Sequence, residues 1–141
     1  MVRDYDDIEI SWASVGAAFG VEDSKLNPNV DPEQLVVRIL KAIPDNPRYA
    51  PMFVWWLEDY KHLLDISRLK DELKKDHSLL AMFQILSKSK KVEDFEDHLL
   101  SPIVSSIMKR ALDERLLPLA KSKIKPVSNM KDFNIYFSAR R

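Results

Sequence analysis

The sequence predicts an all-α fold: a compact bundle or stack of about six to seven helices, with an extended or single-strand C-terminal segment. Three observations predict it. Threonine is absent, glycine occurs twice and leucine seventeen times, a bias that favours helix over sheet. Apolar residues recur at three- and four-residue spacing along most of the chain. Asp31-Pro32 and Ser101-Pro102 stand where helices should start, since an Asp or Ser cap followed by proline satisfies the first free N–H groups and pre-sets the backbone angle.

The elements follow in order. Asp6-Asp7-Ile8-Glu9 reads as a capping box, with Asp6 as N-cap and Glu9 three residues on. Ile8, Trp12, Val15 and Phe19 then form a helical stripe, and the expected helix runs from about Asp7 to Phe19 and stops at Gly20. An alternating strand reading of Ile8, Ile10 and Trp12 is the weaker match. Residues 21–31, rich in Asn, Asp and Pro, read as a loop. Asp31 caps a helix whose buried face is Val36, Ile39, Leu40 and Ile43, and Pro44 stops it. Asp45 to Pro51 is a stiff turn or a short helical turn. From Met52 a strong helix carries Phe53, Trp56, Leu57, Tyr60, Leu63 and Leu64 on one face. Asp65 caps the next segment, with Ile66, Leu69 and Leu73 facing inward and Lys70, Asp71, Lys74 and Lys75 facing water. Ser78 to Leu86 is apolar almost all round, the mark of an enclosed central helix. Ser87 to Lys91 reads as a solvated loop. Val92, Phe95 and Leu99 predict a short amphipathic helix. Ser101-Pro102 opens another, lined by Val104, Ile107, Met108, Ala111, Leu112 and Leu116, and Pro118 kinks or ends it. After Pro126, Phe133, Ile135 and Phe137 alternate with polar residues at strand spacing.

At 141 residues the chain fits one domain, residues 1–141, with 126–141 as its extended basic end. A domain of this length buries about 68–70% of its unfolded surface, enough for a core without staples. There is no cysteine, which excludes a disulfide framework, a thiol nucleophile and a cysteine-ligated metal, and suits a reducing cytoplasm. The acidic start does not read as a signal peptide, and no run of about 18 apolar residues offers a membrane span.

Signatures of chemistry are missing. Two glycines cannot build a glycine-rich phosphate cradle, and no nucleophile elbow or His-Glu-x-x-His is present. Glu58 with His62, and Asp94 with His98, share helix faces at i, i+4, and two such halves could hold a metal. Ordinary surface pairs explain them better, because known di-metal bundles use i, i+3 spacing. His77 reads as solvent-facing. Glu93, Asp94, Glu96 and Asp97 cluster at a helix start, where the dipole favours negative charge. The sequence therefore predicts no catalytic residue, no cofactor and no metal, and favours a non-enzymatic role.

Gly16-Ala17-Ala18-Phe19-Gly20 holds both glycines. A helix-turn-helix also uses such spacing, but Leu26-Asn27-Pro28-Asn29 interrupts the helix that should follow, and an interior proline costs about 3 kcal/mol. What remains is close packing along Ala13, Gly16 and Ala17.

The net charge of zero conceals a gradient. Residues 1–66 carry six basic and twelve acidic groups, whereas residues 104–141 carry nine basic and three acidic. Trp55 sits about 100° from the buried stripe; it is core if neighbours enclose it and an anchor for a partner if they do not. Lys121, Lys123, Lys125, Arg140 and Arg141, interleaved with Tyr136 and Phe137, complete the candidate partner-binding set. The expected function is a helical protein–protein interaction module, an accessory or regulatory protein that binds another protein or a second copy of itself. The alternative is a nucleic-acid-associated regulator using the basic C-terminal third.

Overall fold

Asp31 adopts an extended conformation and its carboxylate accepts hydrogen bonds from the backbone N–H groups of Glu33 (3.1 Å) and Gln34 (3.4 Å), so the helix after it begins at Pro32 as the capping rule expects. The same logic starts two later helices. Asp65 accepts from the Arg68 N–H at 3.1 Å, and Ser101 from the Val104 N–H at 3.2 Å. The computed structural model describes residues 7–17, 19, 30–88, 100–113 and 115–124. Among them the α-helices are α1 Asp7–Ala13, α2 Pro32–Ala42, α3 Tyr49–Tyr60, α4 Ile66–Leu73, α5 His77–Lys88 and α6 Pro102–Ala111. Tighter 3₁₀ turns span Lys61–Leu63 and Leu117–Lys123. No strand forms among the described residues, which hold a single antiparallel bridge between Ala17 and Ile124. None of their helices is long and apolar enough to cross a membrane.

Helix α3 is the hub. It packs against α2, α5, α6 and the C-terminal 3₁₀ turn. Tyr49, Ala50, Met52, Phe53, Val54, Trp56, Leu57 and Tyr60 are all buried along it. Burying each large side chain is worth about 1.5–3 kcal/mol, so this helix carries the largest share of the core. Its aromatics join others. Trp56 stacks on Tyr60 (5.5 Å between centroids) and on Phe53 (6.1 Å), and meets Trp12 edge-on. Helix α5 is enclosed as expected, with Leu79, Ala81, Met82, Phe83, Ile85 and Leu86 buried against α2, α3, α4 and α6.

Three expectations change. Helix α1 ends at Ala13, not near Phe19. The Ala17 N–H donates to the Trp12 carbonyl at 3.1 Å and the Gly16 N–H to the Ala13 carbonyl at 3.4 Å. These two bonds close a Schellman motif with Gly16 at its positive-φ position, φ +124°. A glycine does terminate the helix, but it is the first of the pair. The chain is held there because the Trp56 indole N–H donates to the Val15 carbonyl at 2.9 Å. Second, α3 begins at Tyr49, so Pro51 lies inside its first turn, where a missing N–H costs nothing. Third, α6 ends at Ala111, before Leu112, Leu116 and Pro118, and buries only Met108 and Ala111; Val104 and Ile107 on it, and Leu112 and Leu116 beyond it, are half-covered. The proposed N-cap Asp6, Gly20, the helix expected over 92–99 and the alternating segment 132–138 lie outside the described residues.

Candidate functional site

The half-covered inner face of α6 leaves a groove. It opens between the first turn of α3 and α6, is about 500 Å³ in volume, and is lined by Pro47, Arg48, Pro51, Ser106, Ile107, Arg110, Ala111 and Leu116. Pro47 and Pro51 are one helical turn apart and form one wall. Ile107 and Ala111 form the other, again one turn apart. Ile103 precedes Ile107 by four residues, hence extends the same α6 stripe, and is 70% exposed. Ile103 and Leu119 (72%) are the exposed large apolar side chains among the described residues, and Ile103 stands on the helix that borders the groove.

Two guanidinium groups border this floor. Arg48 reaches the buried Glu9 carboxylate at 3.3 Å and lies over the Tyr49 ring, 5.6 Å from its centroid. Arg110 has no ion-pair partner among the described residues. The nearby carboxylate, Asp113, is engaged by Arg115 instead (3.1 Å). Hydrogen bonds from the Arg115 side chain and backbone N–H hold the Asp113 carboxyl below its usual value, and the Arg110 charge adds a smaller pull in the same direction. The site is thus an apolar slot with positive edges.

Trp55 lies one turn beyond Pro51 on α3. It is half-buried. Its indole N–H donates to the Leu117 carbonyl at 2.7 Å, and the Lys121 ammonium sits 5.1 Å from its ring centroid. These two contacts tie the 3₁₀ turn Leu117–Lys123 to α3 and cover Trp55 from that side. Lys123 is exposed beside Lys121 at the end of that turn. Lys125, Tyr136, Phe137, Arg140 and Arg141 lie outside the described residues.

The metal reading meets half of its residues. Glu58 and His62 are exposed and line a shallow depression with Lys61, whose positive charge opposes a bound cation. Asp94 and His98, and the acidic cluster around them, lie outside the described residues. Among those described, no group of three His, Asp or Glu side chains converges on a point that could hold a metal ion. The Gly16 turn offers no ligand cradle either, because the Tyr60 ring fills the space over its Cα.

Sequence reasoning did not assemble the groove. Pro47 to Pro51 read as a stiff turn or a short helical turn, and Ile107 as part of an inner face. The available signal was Ile103, an apolar residue that the predicted inner stripe of α6 leaves out. No protein-family model, curated protein or solved structure matches this chain.

Proposed function

We propose that the chain is a non-enzymatic helical interaction module, a small accessory or regulatory protein that acts in the cytoplasm by binding another protein. The groove between α3 and α6 carries this reading. Its volume suits an inserted side-chain cluster, its floor is apolar, and Ile103 extends that floor into solvent. Binding surfaces are built this way: a desolvated apolar centre with polar groups at the rim.

Selection of displayed peptides on the full-length chain tests the reading. Peptides should be enriched that lose binding to Ile107→Asp while circular dichroism shows the variant still folded. If every enriched peptide binds that variant equally well, the groove is not the interaction site. The nucleic-acid reading rests on the exposed Lys121 and Lys123 and on the basic residues that follow in the sequence. It predicts a salt-dependent oligonucleotide shift that disappears on deletion of residues 121–141.

A further inference from the structure

We infer that the groove takes a short acidic amphipathic segment of a partner protein, which sets its apolar side chains between Pro51 and Ile107 and its carboxylate against Arg110. This rests on the interaction-module reading and adds the chemistry of the partner. The argument is charge complementarity at a defined spacing. Ile103, Ile107 and Ala111 follow one another at four-residue intervals on α6, and Arg110 stands three residues after Ile107 on the adjoining row. A helix or extended strand laid along that stripe meets apolar contacts for about two turns and then a guanidinium. Arg110 is the cation best placed to be used: it is exposed, it pairs with no carboxylate among the described residues, and Asp113 is held by Arg115. Arg48, on the opposite wall, is paired with the buried Glu9 carboxylate, so Arg110 supplies the cation for the partner's carboxylate. A carboxylate can take two parallel hydrogen bonds from a guanidinium, which fixes register as well as charge.

Nucleic acid fits this slot poorly. Its affinity comes from many phosphate contacts along a basic track, whereas the groove floor is proline, isoleucine, alanine and leucine with two cations at the edge.

The probe is a random library of displayed peptides of about 12 residues, some three helical turns, selected on the full chain. Enriched sequences should carry two apolar residues three or four apart and an Asp or Glu beyond them. Fluorescence polarisation of one such peptide should show affinity about tenfold weaker for Arg110→Glu, the effect of reversing one well-placed charge. Changing the peptide's acidic residue to Lys should restore binding to that variant. The restored binding separates a charge contact from a folding defect. Enrichment of neutral or basic peptides that still depend on Ile107 would overturn the acidic-partner inference and leave the interaction module standing. Absence of any Ile107-dependent peptide would remove both. Displacement of the peptide by a single-stranded oligonucleotide would overturn the inference in favour of nucleic acid. A concentration-dependent dimer in sedimentation, lost in Arg110→Glu, would overturn it in favour of a second copy.

Discussion

Gly16 is where backbone conformation and packing impose the same requirement. Its φ of +124° is one that side chains with a Cβ rarely adopt, and a Cβ built there would lie 2.6 Å from Tyr60 Cζ and 2.8 Å from Cε2. The ring cannot step aside. Tyr60 is fully buried and stacked on Trp56, whose indole N–H in turn holds the Val15 carbonyl. Gly16→Ala should therefore carry two penalties, overpacking at about 1–3 kcal/mol and positive-φ strain at about 1–2 kcal/mol. Neighbour relaxation shares part of the cost, so a loss of about 2–4 kcal/mol is expected from urea unfolding followed by tryptophan fluorescence. A loss under about 0.5 kcal/mol, the range of ordinary surface substitutions, would show that the turn is not held by Tyr60.

Between elements, the N-terminus of α2 is pinned to α4 by one arginine. Arg68 donates to Asp31 at 3.1 Å and to Glu33 at 2.9 Å, and the Glu33 side chain is wholly buried. Partial burial pushes the Asp31 carboxyl up, but the Arg68 hydrogen bond and charge and the Gln34 and Glu33 N–H groups outweigh it and hold the carboxyl below its usual value. A depressed carboxyl contributes stability that is fully present above the unfolded value of about 3.9 and is lost as pH falls through the folded value. Asp31→Asn keeps a competent N-cap but removes the charge and one of the two oxygens that accept from Arg68. It should cost about 1 kcal/mol at neutral pH, both groups being over a third exposed, and flatten the decline in stability below about pH 4. Urea titrations across the acid range read this directly; parallel declines in the two proteins would exclude Asp31 as the source. Arg68→Met should cost more, about 3 kcal/mol, since it strips a guanidinium from a buried carboxylate. In the middle of α3, Trp55→Phe removes the hydrogen bond to Leu117 and should lower stability by about 1 kcal/mol. Trypsin should then cut faster at Lys121 and Lys123, and an unchanged digestion rate would count against that tether. Much of this level was legible in the sequence. Asp31-Pro32, Asp65 and Ser101-Pro102 are local signals, and α2, α4 and α6 start where these caps place them. The stripes of α2 to α5 were readable because most of their apolar residues are buried. The end of α1 was not, because its apolar stripe continues past the residue that turns the chain, and the choice between Gly16 and Gly20 depends on a ring forty-four positions away in sequence. The groove was hidden for a related reason. It is lined by the turn before α3, the start of α3 and α6 together, and periodicity reports which face of a helix is apolar, not how completely another helix covers it.

For the whole molecule, coverage decides where the fold opens first. Helix α3 is enclosed by α2, α5, α6 and the C-terminal 3₁₀ turn, and its centre carries Phe53, Trp56 and Leu57 with almost no exposure. Helix α6 buries two residues, leaves Ile103 in water and borders the groove. The two helices are similar in length, so intrinsic propensity does not separate them, and tertiary packing does. Amides in the middle of α3 can exchange only when the core comes apart. Their opening free energy should equal the global unfolding value, which for a domain of this kind is about 5–15 kcal/mol. Amides of α6 can exchange by a smaller opening that swings the helix away from Pro47 and Pro51 while α2, α3, α4 and α5 stay packed. Native-state hydrogen exchange should therefore place α6 at least about 2 kcal/mol below α3. A groove-bound peptide should raise protection in α6 and leave α3 unchanged, because a ligand stabilises only the states that keep its site intact. Equal protection in both helices without peptide would mean that α6 opens only with the core and that the groove is a rigid slot rather than a yielding edge.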